Sequence, residues 1–355
     1  MSEKISRRTF LKRTAFASAA TGIVLATGKP GYAQTDESVD EKLVGSLIDL
    51  TKCDGCKNYD APKCVIACKE KNEHRFPQPK KPLLDYWPQK KHEDWSEEQD
   101  RIDRLTPYNW TYVESVSVDM NGEEKEVHVP RRCMHCMDAP CQKLCPFGVI
   151  SKTEHGAVKI DEFFCMGGAK CRSVCPWDIP QRQAGVGVYL HIVPELAGGG
   201  VMYKCDMCAD LLEKGEKPVC ETACPKGAIE FGPYKEIRQK ALKRAEEIGG
   251  YIYGDKENGG TLTLYVSDVP FDKIDEAIAK KKEEENDTRW GRPHMKPDVE
   301  NMLDTAKGYT LATIIAPIDG VGAGGISAYT KIKGEKEGKI KEVIIRGEEN
   351  EEENS

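Results

Sequence analysis

Fifteen cysteines in 355 residues carry most of the chemistry this sequence offers, and they fall into four runs. The first is Cys53-x2-Cys56-x7-Cys64-x3-Cys68, and the second Cys133-x2-Cys136-x4-Cys141-x3-Cys145. The third holds Cys165, Cys171 and Cys175, and the fourth is Cys205-x2-Cys208-x11-Cys220-x3-Cys224. Each run opens on C-x2-C and closes on C-x3-C, except that Gly168 stands in the second cysteine slot of the third. An odd number of cysteines cannot all pair within one chain, and a disulfide framework has no cause to repeat one spacing. A C-x2-C loop turns two thiolates toward one point while its backbone N–H groups face the sulfurs and offset negative charge, the arrangement that holds an iron–sulfur cluster. Zinc ribbons also use C-x2-C knuckles, but as two such pairs, and C-x3-C-P is not their second half. No histidine directly follows the second cysteine of a C-x2-C pair, so the c-type haem signature is missing. His135 lies inside a C-x2-C loop and reads as a polar loop residue rather than a ligand.

These side chains need short elements to aim them. The C-x3-C end of each run suits one helical turn that points its last cysteine away from the others, toward a neighbouring cluster. Proline follows in three runs (Pro146, Pro176, Pro225) and stops that helix, because it lacks an N–H and clashes with the preceding turn. The first run departs, with Lys69 at this place. After Cys-Pro the chain reads as extended, in "GVISKTEHGAVKID" and again in "GAIEFG", which gives an internal repeat of strand, loop and short helix. Two such halves make one ferredoxin unit. The fold class is therefore α+β, two tandem ferredoxin-like units with inserted loops, spanning 40–250.

Composition limits the alternatives. A net charge of −7 argues against nucleic acid as a partner, and 39% apolar residues is modest for this length, so more than an oily core holds the chain together. "SRRTFLK" at 6–12, a mildly apolar stretch and a small-residue site near Ala33 read as a twin-arginine export signal over 1–33, with Arg7 and Arg8 as the address. The insert 72–130 starts proline-rich and then alternates around Asn121-Gly122, a hairpin signal. Its aromatics (Tyr86, Trp87, Trp95, Tyr108, Trp110, Tyr112) are candidates for core packing or interface anchors. The glycine clusters at 198–200 and 320–325 lack the strand, acidic partner or Gly-Lys-Ser/Thr that nucleotide binding requires. The apolar stretch 309–330 is long enough to cross a bilayer, although Asp319 opposes insertion by about 2.5–3.5 kcal/mol and Pro317 would kink it. Basic residues from Lys331 to Arg346 follow it and place a charged tail, 331–355, on the cytoplasmic side.

The order of the four runs, together with "YGDKENGGTLTLYVSDVPF" at 253–271, resembles the ferredoxin-type iron–sulfur (beta) subunits of membrane-bound respiratory oxidoreductases: the dimethyl sulfoxide reductase, formate dehydrogenase, nitrate reductase, hydrogenase-2 and high-molecular-weight cytochrome complex types. In such proteins run one pairs with run four and run two with run three. The resemblance then implies four sets: Cys53, Cys56, Cys64 and Cys224 (set one); Cys205, Cys208, Cys220 and Cys68 (set two); Cys133, Cys136, Cys141 and Cys175 (set three); and Cys165, Cys171 and Cys145 (set four). It implies three [4Fe–4S] clusters and, because glycine offers no ligand at Gly168, one [3Fe–4S] cluster in set four, nearest the membrane. It also implies a C-terminal extension, 251–308, a catalytic molybdopterin, nickel–iron or multihaem cytochrome partner, an integral membrane quinone-reactive partner, and a place on the periplasmic side of a bacterial inner membrane after export in the folded state. No nucleophile–base set or flavin fingerprint is present, so the chain reads as an electron-transfer subunit; the competing reading is a soluble iron–sulfur reductase acting with a separate cofactor subunit.

Overall fold

In a computed structural model the protein is described over residues 41–85, 90–192 and 199–314. The candidate export signal, Tyr86 and Trp87, most of the candidate membrane anchor and the charged tail lie outside these residues. Among the described residues there are ten strands: β1 (Val44–Asp49), β2 (Tyr112–Met120), β3 (Glu123–Arg131), β4 (Ile150–Lys152), β5 (Val158–Ile160), β6 (Gln181–Ala184), β7 (Gly200–Tyr203), β8 (Ile229–Pro233), β9 (Tyr251–Tyr253) and β10 (Thr263–Ser267).

The repeat expected from the cysteine runs is visible in their order. A strand ends just ahead of each run: β1 before Cys53, β3 before Cys133, β5 before Cys165 and β7 before Cys205. Strands β4, β6 and β8 follow the three Cys-Pro pairs. Antiparallel pairing links the strand after one run to the strand before the next, β4 with β5 and β6 with β7. Strand β8, after run four, returns to β1, before run one, with Ser46 opposite Phe231.

Proline sets helix length as its chemistry requires. Helices Pro140–Lys143, Lys170–Ser173 and Val219–Thr222, each ahead of a Cys-Pro, last 4 residues, whereas Lys63–Asn72, with Lys69 in place of proline, runs for 10. Three residues beyond the last cysteine of the proline-containing runs, Gly148, Asp178 and Gly227 take left-handed φ values of 59°, 52° and 57°. Their amides donate to the carbonyls of Cys145, Cys175 and Cys224 at 3.2, 3.2 and 3.3 Å.

The segment 251–308 does not trail off this core. Strand β10 pairs parallel with β1, Ile48 opposite Tyr265, and β9 adds beyond it, so the central sheet has the order β8-β1-β10-β9. Helix Tyr234–Ile248 packs Ile237, Ala241 and Ala245 inward against this sheet. The insert forms the β2–β3 hairpin, turning at Asn121 and Gly122, which both have positive φ, as a two-residue turn demands. The hairpin lies against helix Phe271–Glu284. There Glu114, 2% exposed, accepts from Arg292 at 2.8 and 2.9 Å, from Lys281 at 3.1 Å and from the Tyr112 hydroxyl at 3.2 Å. Trp95, Tyr108, Trp110 and Tyr112 are all buried, so these aromatics of the insert serve the core. Residues 306–314 are helical, taking in the first part of the candidate anchor. Among the described residues no helix is long and apolar enough to cross a membrane.

Candidate iron–sulfur centres

Each run begins with the same backbone device. The residue two places after the first cysteine has positive φ in all four: Gly55 (64°), His135 (48°), Gly167 (69°) and Met207 (60°). That reversal turns the loop back over its own sulfur. Gly167 N–H donates to Cys165 Sγ at 3.4 Å, and Met207 N–H to Cys205 Sγ at 3.4 Å. Further amides arrive from outside the loops, Lys63 on Cys56 (3.5 Å), Met202 on Cys165 (3.5 Å) and Ala228 on Cys224 (3.3 Å). Amides aimed at sulfur suit a thiolate that carries negative charge. Gly168 occupies the slot that Cys56, Cys136 and Cys208 fill in the other loops, and a Cβ built on it would meet nothing within 4 Å.

The structure brings together cysteines distant in sequence. Helix Lys63–Asn72 packs on Val219–Thr222, and Pro140–Lys143 on Lys170–Ser173, so run one meets run four and run two meets run three. One small cavity is lined by Cys53, Cys56, Cys64 and Cys224. A second is lined by Cys68, Cys205, Cys208 and Cys220. A third is lined by Cys133, Cys136, Cys141 and Cys175. Cys145, Cys165 and Cys171 feel one another's charge, forming a group of three beside Gly168. All fifteen cysteines are free of disulfides.

The neighbours of single thiols put the groups in a row. Cys64 of set one lies within electrostatic reach of Cys220 of set two. Cys205 of set two reaches Cys133 of set three, and Cys171 of set four reaches Cys141 and Cys175 of set three. Burial pushes the thiols up, Cys53, Cys141 and Cys205 to about 11 and Cys208 to about 12, so ionising them calls for strong local positive charge.

The chemistry of these donor sets fits iron–sulfur clusters better than single ions. Among the described residues no three His, Cys, Asp or Glu side chains converge closely enough to hold one metal ion. Four thiols around the rim of a cavity instead suit a polynuclear core that fills the space between them. An orphaned donor points the same way. Arg132 is 1% exposed and lines the cavity of set two, and its Nε and Nη1 find no hydrogen-bond partner.

Sequence reasoning passed over Arg132 and Lys204 and gave His135 no contact. Arg132 and Lys204 immediately precede Cys133 and Cys205, so a basic residue ahead of the first cysteine was the available signal. In the third run that place belongs to Phe164, which is exposed and meets exposed Phe163 edge-on, ring centroids 4.9 Å apart.

A repeated strand–loop–helix frame, with grouped thiols at each repeat, defines a multicluster protein of ferredoxin type. Two family models, each described as a 4Fe-4S dicluster domain, match residues 52–149 and 125–234. The hydrogenase-2 operon protein HybA of Escherichia coli O157:H7 is 28% identical over 308 residues, covering 76% of this chain and 83% of that protein. The formate dehydrogenase-O iron-sulfur subunit of Escherichia coli K12 is 30% identical over 230 residues, covering 63% and 66%. The probable anaerobic dimethyl sulfoxide reductase chain YnfG of the same strain is 32% identical over 196 residues, covering 55% and 76%. The chain belongs to the family of ferredoxin-type iron–sulfur subunits of respiratory oxidoreductases, and it relays electrons through clusters of 4Fe–4S type.

Proposed function

We propose that this protein, exported in the folded state and working on the periplasmic side of a bacterial inner membrane, carries single electrons between a catalytic subunit and a quinone-linked membrane subunit. The catalytic partner is a molybdopterin, nickel–iron or multihaem protein. Sets one, two and three hold [4Fe–4S] clusters and set four, with Gly168 in place of a ligand, holds a [3Fe–4S] cluster. The grouping of four cysteines from two distant runs around each of three cavities carries this reading. When bound, the clusters supply the one-electron redox steps.

The chain's own part is to fix spacing, charge and access. Each C-x3-C pair sends one sulfur to each of two neighbouring sets, from within one helix for Cys64 and Cys68 and from a helix and the residues just after it in the other three, so a short covalent span holds those sets side by side. Amides on Cys56, Cys165, Cys205 and Cys224 steady the thiolates. Exposed Phe163 and Phe164 beside Cys165 give set four an apolar outlet suited to a membrane partner, with the stretch 309–330 anchoring the chain there.

Iron, sulfide and spectroscopic analysis of anaerobically isolated protein tests the reading. Tightly bound iron and inorganic sulfide are expected, with a three-iron electron paramagnetic resonance signal in the oxidised state. Negligible iron and sulfide would overturn the relay. Cluster-replete protein lacking the three-iron signal would overturn the assignment of set four alone.

A further inference from the structure

Four C-x3-C pairs, each beginning on a helix, join set one to set two, through Cys64/Cys68 and Cys220/Cys224, and set three to set four, through Cys141/Cys145 and Cys171/Cys175. None of the four spans the gap between sets two and three. Other side chains fill it. Lys204 is 5% exposed and lines the cavity of set three together with its four cysteines. Its Nζ donates to the carbonyl of Val158 and, at 3.0 Å, to that of Cys205. Arg132 lines the cavity of set two, lies 4.7 Å from the Phe231 ring centre, and uses Nη2 on Ser46 Oγ at 2.7 Å. Among the described residues neither cation is ion-paired with a carboxylate. His135, fully buried, comes from the loop of set three but faces set two. The Val158 amide donates to its Nδ1 at 3.0 Å, so the neutral ring carries its proton on Nε2, which lies 3.7 Å from Cys205 Sγ.

The carboxylate that acts on Lys204 is that of Asp206, which is itself paired with Arg75. Two buried cations, one at the thiol-walled cavity of set two and one at that of set three, suit further anionic partners there, and thiolate-bound clusters would provide them. We propose that Lys204, Arg132 and His135 are positioning residues that raise the reduction potentials of the clusters in sets two and three, making the middle of the row the favoured resting place for an electron. The inference rests on the cluster reading of those sets. Positive charge and a donor to sulfur both stabilise the reduced state, and hydrogen bonding and net charge are the levers by which proteins tune such clusters.

The test uses the full-length, cluster-loaded protein with Lys204→Met and Lys204→Arg, titrated potentiometrically with paramagnetic resonance detection. Lys204→Met should shift electron occupancy of a middle cluster at least tenfold toward the oxidised form, about 59 mV for a one-electron couple. Lys204→Arg should keep most of the parent potential, which a purely structural lysine would not require. Should the methionine variant fail to load clusters, the unaltered protein still decides. Reduced protein grown on nitrogen-15 histidine should show one histidine nitrogen coupled to a cluster spin, and its absence would overturn the inference. Loaded Lys204→Met with unmoved potentials would do the same while leaving the relay intact, whereas protein without iron would sink both.

Discussion

Gly168→Cys asks whether the third run lacks a ligand or lacks room for one. Its neighbour supplies the contrast. A Cβ on Gly167 would sit 2.4 Å from the Gly200 carbonyl oxygen, at a φ of 69° that L-residues avoid. A Cβ on Gly168 meets nothing within 4 Å, and its φ is not in the left-handed region. Replacing glycine where the backbone already suits an L-residue stabilises by about 0.4–1 kcal/mol, through the unfolded chain. Gly168→Ala should therefore melt slightly higher than the parent and leave the oxidised three-iron signal unchanged. Gly167→Ala should destabilise by more than about 1 kcal/mol. Gly168→Cys should fold as well as Gly168→Ala, bind one further iron per chain and lose the three-iron signal, because Gly168 holds the sequence slot of Cys56, Cys136 and Cys208 and shares with Cys136 a backbone outside the left-handed region that Cys56 and Cys208 adopt. Iron analysis and paramagnetic resonance of anaerobically isolated protein read both changes. If a well-folded Gly168→Cys protein retained the three-iron signal at full strength, the loop would not aim its fourth position at the cluster, and the equivalence of the four loops would be wrong.

Three further outcomes follow from other parts of the chain. Glu114→Ala breaks the buried contact between the insert and the C-terminal helix, although Arg292 keeps Glu285 and Asp287 as partners; it should cost about 1–3 kcal/mol, read as a lower denaturant midpoint with an unchanged slope. Burial alone would push the Asp287 carboxyl up, but hydrogen bonds from Arg104, the Arg289 amide and Arg292 outweigh it and hold the carboxyl below the usual carboxylate range. Its stabilisation is thus complete above the unfolded value near 3.9 and disappears as pH falls through the depressed folded value, so Asp287→Asn should be less stable than the parent at neutral pH, with the difference in unfolding free energy narrowing below about pH 4. Arg7→Lys with Arg8→Lys should retain the protein in the cytoplasm, followed by cell fractionation, and normal export would remove the twin-arginine reading.

What could be read from the sequence was local. The C-x2-C loops, the helix stopped by Pro146, Pro176 or Pro225, the longer helix where Lys69 replaces proline, and the turn at Asn121-Gly122 are each decided by residues within a few positions of one another. Partners were another matter. Spacing alone does not say that Cys224 belongs with Cys53; that grouping came from resemblance, because packing of Lys63–Asn72 on Val219–Thr222 is settled by burial across some 150 residues. The same limit hid the parallel pairing of β1 with β10, by which the C-terminal extension 251–308 supplies half of the central sheet. Trp95, Tyr108, Trp110 and Tyr112 left the choice between core and interface open because side-chain type does not report which surface folds over it.

The two halves of the row are built on different principles, and this bears on how the protein tolerates change. Within each half, sulfurs four residues apart serve two sets, so the separation of neighbouring sets is limited by covalent spacing and survives alteration of the surrounding side chains. Across the middle, sets two and three are held only by the fold, through the bonds of Lys204 to Val158 and Cys205 and the approach of His135 to Cys205. A length change in the x7 or x11 loops should leave the spacing within a half intact. Loosening the hold of β5 on Lys204 should separate the halves while both still bind iron. In rapid-freeze reduction such a protein would fill one half with electrons well before the other. If both halves filled together, the middle junction would be no weaker than the helical ones.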